Sequence, residues 1–212
     1  MLERIKIDNR EDWLRERFFG IGASESGAVL GLSSFMSATD LWKIKTGKAK
    51  PKDLSDNDVV AMGVRFEPAI REMFKAAHPE WTVEHYPYDI LYQEGRRWQF
   101  ATLDGEIYTE DGKAGILEIK TSSPVGRAAW QKWDNQIPQG YYCQLLHQLT
   151  ASGFSFAILY AALFSQNGQI TLREYYFDAE NLQGDMEYLT AEEEKFWGCV
   201  QRNELPATKL VL

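Results

Sequence analysis

Cysteine is scarce in this chain. Its 212 residues include only Cys143 and Cys199. Two cysteines so spaced make neither a disulfide framework nor a metal-ligand pattern, and the lack of a four-cysteine set argues against a cysteine-ligated iron–sulfur cluster. Long apolar runs are also missing: no stretch approaches the roughly 20 residues of a membrane span. The opening MLERIKIDNR lacks the basic start and apolar stretch of a secretory signal, which predicts a cytoplasmic protein in a reducing compartment. Repeats, low-complexity tracts and an evident interdomain linker are absent. There is no excess of positive charge either, since the formal net charge is −8. That balance is uneven, with 10 Lys and Arg against 7 Asp and Glu in residues 1–52, and 13 against 24 in the remainder. An acidic chain can still meet nucleic acid, because phosphate contacts need only local basic groups and catalytic carboxylates are offset by bound cations.

What is present is a core. The composition is 44% hydrophobic and 13% aromatic, enough for one sizeable domain. Residues 11–19 and 23–31 read as short helices, the second with Ser24 as N-cap and Gly31 as stop. Residues 37–47 form a third helix, and KAKPKDLSDND (48–58) is a loop. Helical spacing of Met62, Phe66, Ile70, Met73 and Phe74 marks a longer helix from about 59 to 77, which Pro68 kinks or starts. The pattern then changes to strands in WTVEHYPYDILY, RRWQFATLDGEIY and KAGILEIKTSS, with Asp111-Gly112 as the turn of a hairpin. A helix over 139–151, two strands in FSFAILYAALF and ITLREYYF, and a Glu-rich helix over 178–202 follow. This order predicts an α/β fold with a mixed central β-sheet flanked by helices. It divides into an N-terminal helical part (about 1–58), a core (about 59–177) and a C-terminal helix.

Chemistry concentrates in GILEIKTSS, residues 115–123. Strand residues two apart share a face, so Glu118 and Lys120 project together. Pairing across the hairpin brings Asp104 toward Glu118, and two such carboxylates make a hard oxygen site for Mg²⁺ or Mn²⁺. Lys120 beside them can hold an attacking water or steady the phosphate. A cross-strand ion pair on a polar hairpin is the plain alternative. Glu-x-Lys recurs at Glu193–Lys195 in a helical setting, so the tripeptide alone does not decide. His147 is more simply a satisfied, partly buried histidine than a metal ligand.

Five ordered stretches add to this: GIGASESGAVLGLSSFMSATDLWKIKTG, MGVRFEPAIREMF, TLDGEI, LEIKTSS and YYCQLLHQLTASG. Together they resemble the YqaJ-like viral recombinase family, in the lambda-exonuclease branch of the PD-(D/E)XK nuclease superfamily, over roughly residues 13–165. The resemblance implies that the whole chain is one nuclease domain with a restriction-endonuclease-like core. It implies Asp104, Glu118 and the Ile119 carbonyl as metal ligands, Glu67 as a further acidic group, Lys120 as the catalytic lysine and Gln144 beside them. A second family glutamine falls where this chain has Leu146. The implied activity is a Mg²⁺-dependent exonuclease, with Mn²⁺ substituting, which digests the 5′-terminated strand of duplex DNA ends and leaves 3′ single strands. Arg17, Ser24 and Thr102 would then bind the terminal 5′-phosphate, with Arg127 a looser candidate. The resemblance also implies a single-strand annealing protein as partner and a homo-oligomer, such as a ring trimer. A sequence- or structure-specific endonuclease and a catalytically silent DNA-end-binding module are the alternatives. Trp42 or Trp130 is a candidate wedge at an unpaired end.

Overall fold

The computed structural model describes residues 1–53 and 57–207. Residues 54–56 of the expected 48–58 loop lie outside the described residues. The N-terminal part runs β1 (Leu2–Ile5), α1 (Arg10–Glu16), a 3-10 turn (Arg17–Phe19), β2 (Ile21–Gly22), a second 3-10 turn (Ala23–Glu25), α2 (Ser26–Val29) and α3 (Ala38–Lys45). The side chain of Asn9 starts α1 by accepting the Asp12 N–H at 3.0 Å. Ser37 starts α3 through a reciprocal cap with Asp40. Ser24 caps nothing: the N-cap of its turn is Gly22, whose N–H donates to the Glu25 carboxylate at 2.8 Å. This part is therefore not purely helical, because β1 and β2 join a sheet formed later in the chain.

The remainder runs α4 (Asp58–Ala77), β3 (Thr82–Glu84), β4 (Ile90–Gln93), β5 (Gln99–Ala101), β6 (Gly105–Tyr108), β7 (Ala114–Ser122), α5 (Arg127–Gln131), α6 (Gln139–Ser152), β8 (Phe156–Phe164), β9 (Ile170–Asp178) and α7 (Gln183–Arg202). Pro68 lies inside α4. Of the expected apolar stripe on this helix, Ile70 and Phe74 are buried, whereas Phe66 and Met73 are exposed.

The strands form two sheets rather than one. A five-stranded sheet has the order β3-β6-β7-β8-β9, with β7 and β8 parallel and the other pairs antiparallel; a four-stranded sheet has the order β1-β4-β5-β2. Two stretches that read as single strands each break and serve both sheets. WTVEHYPYDILY parts around Pro87, which has no N–H to continue a ladder. RRWQFATLDGEIY parts just before Gly105, where the Asp104 side chain takes the Ile119 N–H at 2.8 Å in place of a strand carbonyl. The β6–β7 turn is as expected, with Gly112 at φ +83°, in the left-handed region that glycine tolerates.

Both faces of β7 and β8 are covered. Ile70 and Phe74 of α4 pack with Leu117, Ile119, Ile158 and Tyr160 on one face. Leu145 and Leu149 of α6 pack with Ile116, Leu159 and Ala161 on the other. Strands buried on both faces read as continuous apolar runs, which explains FAILYAALF. Glu118 and Lys120 alternate onto the same face as Ile116, the face that α6 covers.

Candidate active site

The centre of the site is the carboxylate of Glu118, 2% exposed and satisfied on both oxygens. Gln144 Nε2 donates to Oε1 at 2.6 Å and Gln148 Nε2 to Oε2 at 2.5 Å. Both amides come from α6, where residues four apart stack on one face. Lys120 Nζ is ion-paired with Glu118 Oε1 and lies 4.9 Å from the centre of the Tyr141 ring. Burial alone would lower the lysine's pKa, but the charges of Glu118 and Asp104 raise it. Asp104 immediately precedes the Gly105–Leu117 pair of the hairpin register, its Oδ2 held by the Ile119 N–H. Its carboxyl is pushed well above the usual aspartate range, first by burial and then by the negative charges of Glu118 and Glu67. Glu67 of α4 is raised for similar reasons, burial leading and Arg71 opposing. Arg71, one helical turn on, is ion-paired with Glu67 and donates through Nε to the Asp104 carbonyl at 2.7 Å. The arginine thus ties the helix carboxylate to the hairpin.

A second cluster surrounds Arg17. Its guanidinium lies 4.7 Å from the Trp13 ring centre and packs on Gly22, where an added Cβ would come within 3.0 Å of it. Arg17 Nη2 donates to Ser24 Oγ at 3.3 Å and lies 3.6 Å from Glu25 Oε1. Trp13 Nε1 donates to Thr102 Oγ1 at 2.9 Å. Arg17, Ser24 and Thr102 are thus brought into one neighbourhood. Arg127 is exposed at the start of α5 and makes no hydrogen bond or ion pair with those three among the described residues. A cavity of about 660 Å³ is lined by Ser24 of this cluster and by Lys120, Tyr141 and Gln144 of the first, together with Phe35 and Lys132. Trp42 is no wedge, being 5% exposed with its indole N–H on the Cys199 carbonyl. Trp130 also packs against the core.

Comparison with known proteins places this arrangement. The pattern of the YqaJ-like viral recombinase domain matches residues 12–155. The chain belongs to the YqaJ-like viral recombinase family. It is 28% identical over 178 residues to the uncharacterized protein YqaJ of Bacillus subtilis (strain 168), covering 81% of this chain but only 51% of the relative. The chain therefore spans about half the length of that relative. Among solved structures, the alkaline exonuclease LHK-Exo of Laribacter hongkongensis superposes with a TM-score of 0.64 at 15% identity, covering 92% of this chain and 96% of that one. A phage-related exonuclease from Haemophilus somnus 129PT gives 0.53 at 12% identity, covering 87% and 96%. At these identities the likeness concerns the fold alone, a mixed α/β fold that this chain shares with those two exonucleases.

The family match spans both clusters, from Trp13 to Gln148, and ends before β8. Leu146, where a second family glutamine was expected, is buried against Cys143 and Leu189 on another side of α6. The second amide on Glu118 comes instead from Gln148. The i, i+4 pair Gln144/Gln148 is visible in the sequence, but two glutamines on a helix are ordinarily solvated, so the spacing alone does not single them out. Arg71 was missed for the same reason, although it lies four residues after Glu67.

The donor set suits a hard divalent cation in kind. Asp104 and Glu118 supply the carboxylate oxygens that such an ion prefers. Among the described residues no three His, Cys, Asp or Glu side chains already surround one point. Lys120 instead serves as the counter-cation of Glu118.

Proposed function

We propose that the protein is a Mg²⁺-dependent exonuclease that digests the 5′-terminated strand of linear duplex DNA. One observation carries this reading. Lys120, ion-paired with Glu118, lines the same cavity as Ser24, which accepts from Arg17, while Asp104 lies beside Glu118 with its Oδ2 on the Ile119 N–H. Asp104, Glu118 and the Ile119 carbonyl would hold the metal, with Glu67 contributing. Such an ion lowers the pKa of a bound water and offsets charge growing on the phosphate. The protein's own groups do the rest. Gln144 and Gln148 fix the plane of the Glu118 carboxylate, and the Ile119 N–H fixes Asp104. Lys120 presents a cationic donor to the attacking water or the phosphate oxygens. Arg17 and Ser24 hold the terminal 5′-phosphate by charge-assisted hydrogen bonds. Because Thr102 Oγ1 accepts from Trp13, its hydroxyl proton is left to donate to the same anion.

Duplex labelled at the 5′ or the 3′ end of one strand tests this reading. The 5′ label is expected to be released first as small product, while the 3′ label stays on a long strand. Loss of the 3′ label first would reverse the polarity. Labelled internal fragments would indicate endonuclease cutting.

A further inference from the structure

Lys45 is the oddest lysine in the chain. In the basic run KIKTGKAKPK it belongs to the last turn of α3, and its side chain is 2% exposed. Its Nζ donates to Glu25 Oε2 at 2.8 Å and to the Arg17 carbonyl at 2.7 Å. Glu25, 13% exposed, accepts the Gly22 N–H through the same oxygen and faces Arg17 with the other. Burial brings the Lys45 pKa below its ordinary value, with the Glu25 carboxylate opposing that shift. Burial would raise the Glu25 pKa, but Lys45 and Arg17 bring it below the ordinary value.

A buried ion pair is weak evidence for stability, since desolvation consumes most of the attraction. This pair has a more specific consequence. A carboxylate on the edge of a guanidinium orients it, but a lone carboxylate would also cancel its charge. With Lys45 present, Arg17, Glu25 and Lys45 sum to +1, so Arg17 is held in place and its positive charge is still available. His147, which feels the Glu25 charge, is itself paired with Glu193.

We propose that Lys45 and Glu25 are positioning residues for the anion site at Arg17. Glu25 aims the guanidinium at the terminal 5′-phosphate, and Lys45 neutralises Glu25 so that the site keeps one uncompensated positive charge. The inference rests on the reading of Arg17 as the 5′-phosphate ligand and assigns that site its supporting shell.

The test is the ratio of dissociation constants for 5′-hydroxyl and 5′-phosphorylated duplex, read by fluorescence anisotropy in EDTA, with a thermal melt of each protein. Wild type is expected to prefer the phosphorylated end by roughly tenfold or more, and Arg17→Ala to lose that preference. Lys45→Met keeps the Arg17 side chain but cancels the site's charge, so its ratio should fall close to that of Arg17→Ala. The double variant Lys45→Met/Glu25→Gln removes both buried charges, returns the site to +1 and should recover most of the ratio. It lacks the same hydrogen bond to the Arg17 carbonyl and so controls for its loss. A purely structural role for the pair predicts weaker binding to both ends with the ratio kept, and that outcome overturns the proposal. So does a double variant that folds but stays as indifferent as Arg17→Ala, which decides the matter if Lys45→Met does not fold. If wild type shows no preference, the reading of Arg17 itself is wrong. If Arg17→Ala loses the preference and Lys45→Met keeps it, only the positioning role is wrong.

Discussion

Lys120→Ala is expected to hydrolyse linear duplex about 10²–10³-fold more slowly than wild type, the scale of removing one preorganised charge-stabilising donor. The same variant should bind Mn²⁺ at least as tightly as wild type. Lys120 is the counter-cation of Glu118, and a metal at that carboxylate must share it with the ammonium. Removing the lysine leaves Glu118 held by Gln144 and Gln148, so its carboxylate keeps its orientation while losing a competitor. Asp104→Ala should differ, losing metal affinity and activity together because it removes a proposed ligand. Single-turnover rates with calorimetric Mn²⁺ titrations separate the two cases. Near-wild-type turnover by a folded Lys120→Ala protein would remove Lys120 from the chemistry.

The largest expected loss of stability lies outside the proposed site, at Glu193→Ala. His147 and Glu193 are both 0% exposed, with 2.8 Å between His147 Nδ1 and Glu193 Oε1. His147 Nε2 lies 2.9 Å from the Phe100 carbonyl, so an imidazolium donating from both nitrogens satisfies every contact. The second carboxylate oxygen accepts from Gln99 Nε2 at 2.7 Å. Breaking a buried pair by removing one partner costs about 3–5 kcal/mol. In a domain of this size that lowers the melting temperature by roughly 6–20 °C. The pH dependence has a definite sign. Burial alone would depress the His147 pKa, but Glu193 raises it above the ordinary value. The pair's contribution is therefore full below the unfolded imidazole value of about 6.5 and fades as pH rises through the folded one. The difference in melting temperature between wild type and Glu193→Ala should be largest in mild acid and narrow toward alkaline pH.

These two residues also show what the sequence can reveal. Glu-x-Lys occurs at 118–120 and again at 193–195. On β7 the two side chains share a face and form an ion pair. On α7 they diverge, with Glu193 buried against His147 and Lys195 outside on Glu192. Periodicity predicted this difference, because apolar alternation marks the first as strand and a Glu-rich amphipathic stretch marks the second as helix. The long helices and the Asp-Gly hairpin were legible because each rests on local chemistry, namely caps, spacing and a glycine turn.

What was not legible depends on distant partners. LERI at 2–5 is too short to signal a strand and becomes one only by pairing with β4. The division into two sheets needed both the Pro87 break and the inward turn of Asp104. Lys45 falls at the end of the expected third helix with nothing local to mark it as buried, and its burial follows from Glu25 and the Arg17 carbonyl, which the fold supplies. Gln148 depends on Glu118 in the same way.

The central claim is that Asp104, Glu118 and Lys120 form a metal-dependent nuclease site that requires a DNA end. The most direct measurement is the release of acid-soluble nucleotide from linear and covalently closed circular duplex of the same sequence, each with Mg²⁺ and with EDTA. Release from the linear DNA in Mg²⁺ alone, with the circle intact throughout, is the predicted result. Equal release in EDTA, or nicking and linearisation of the circle at a comparable rate, would contradict it.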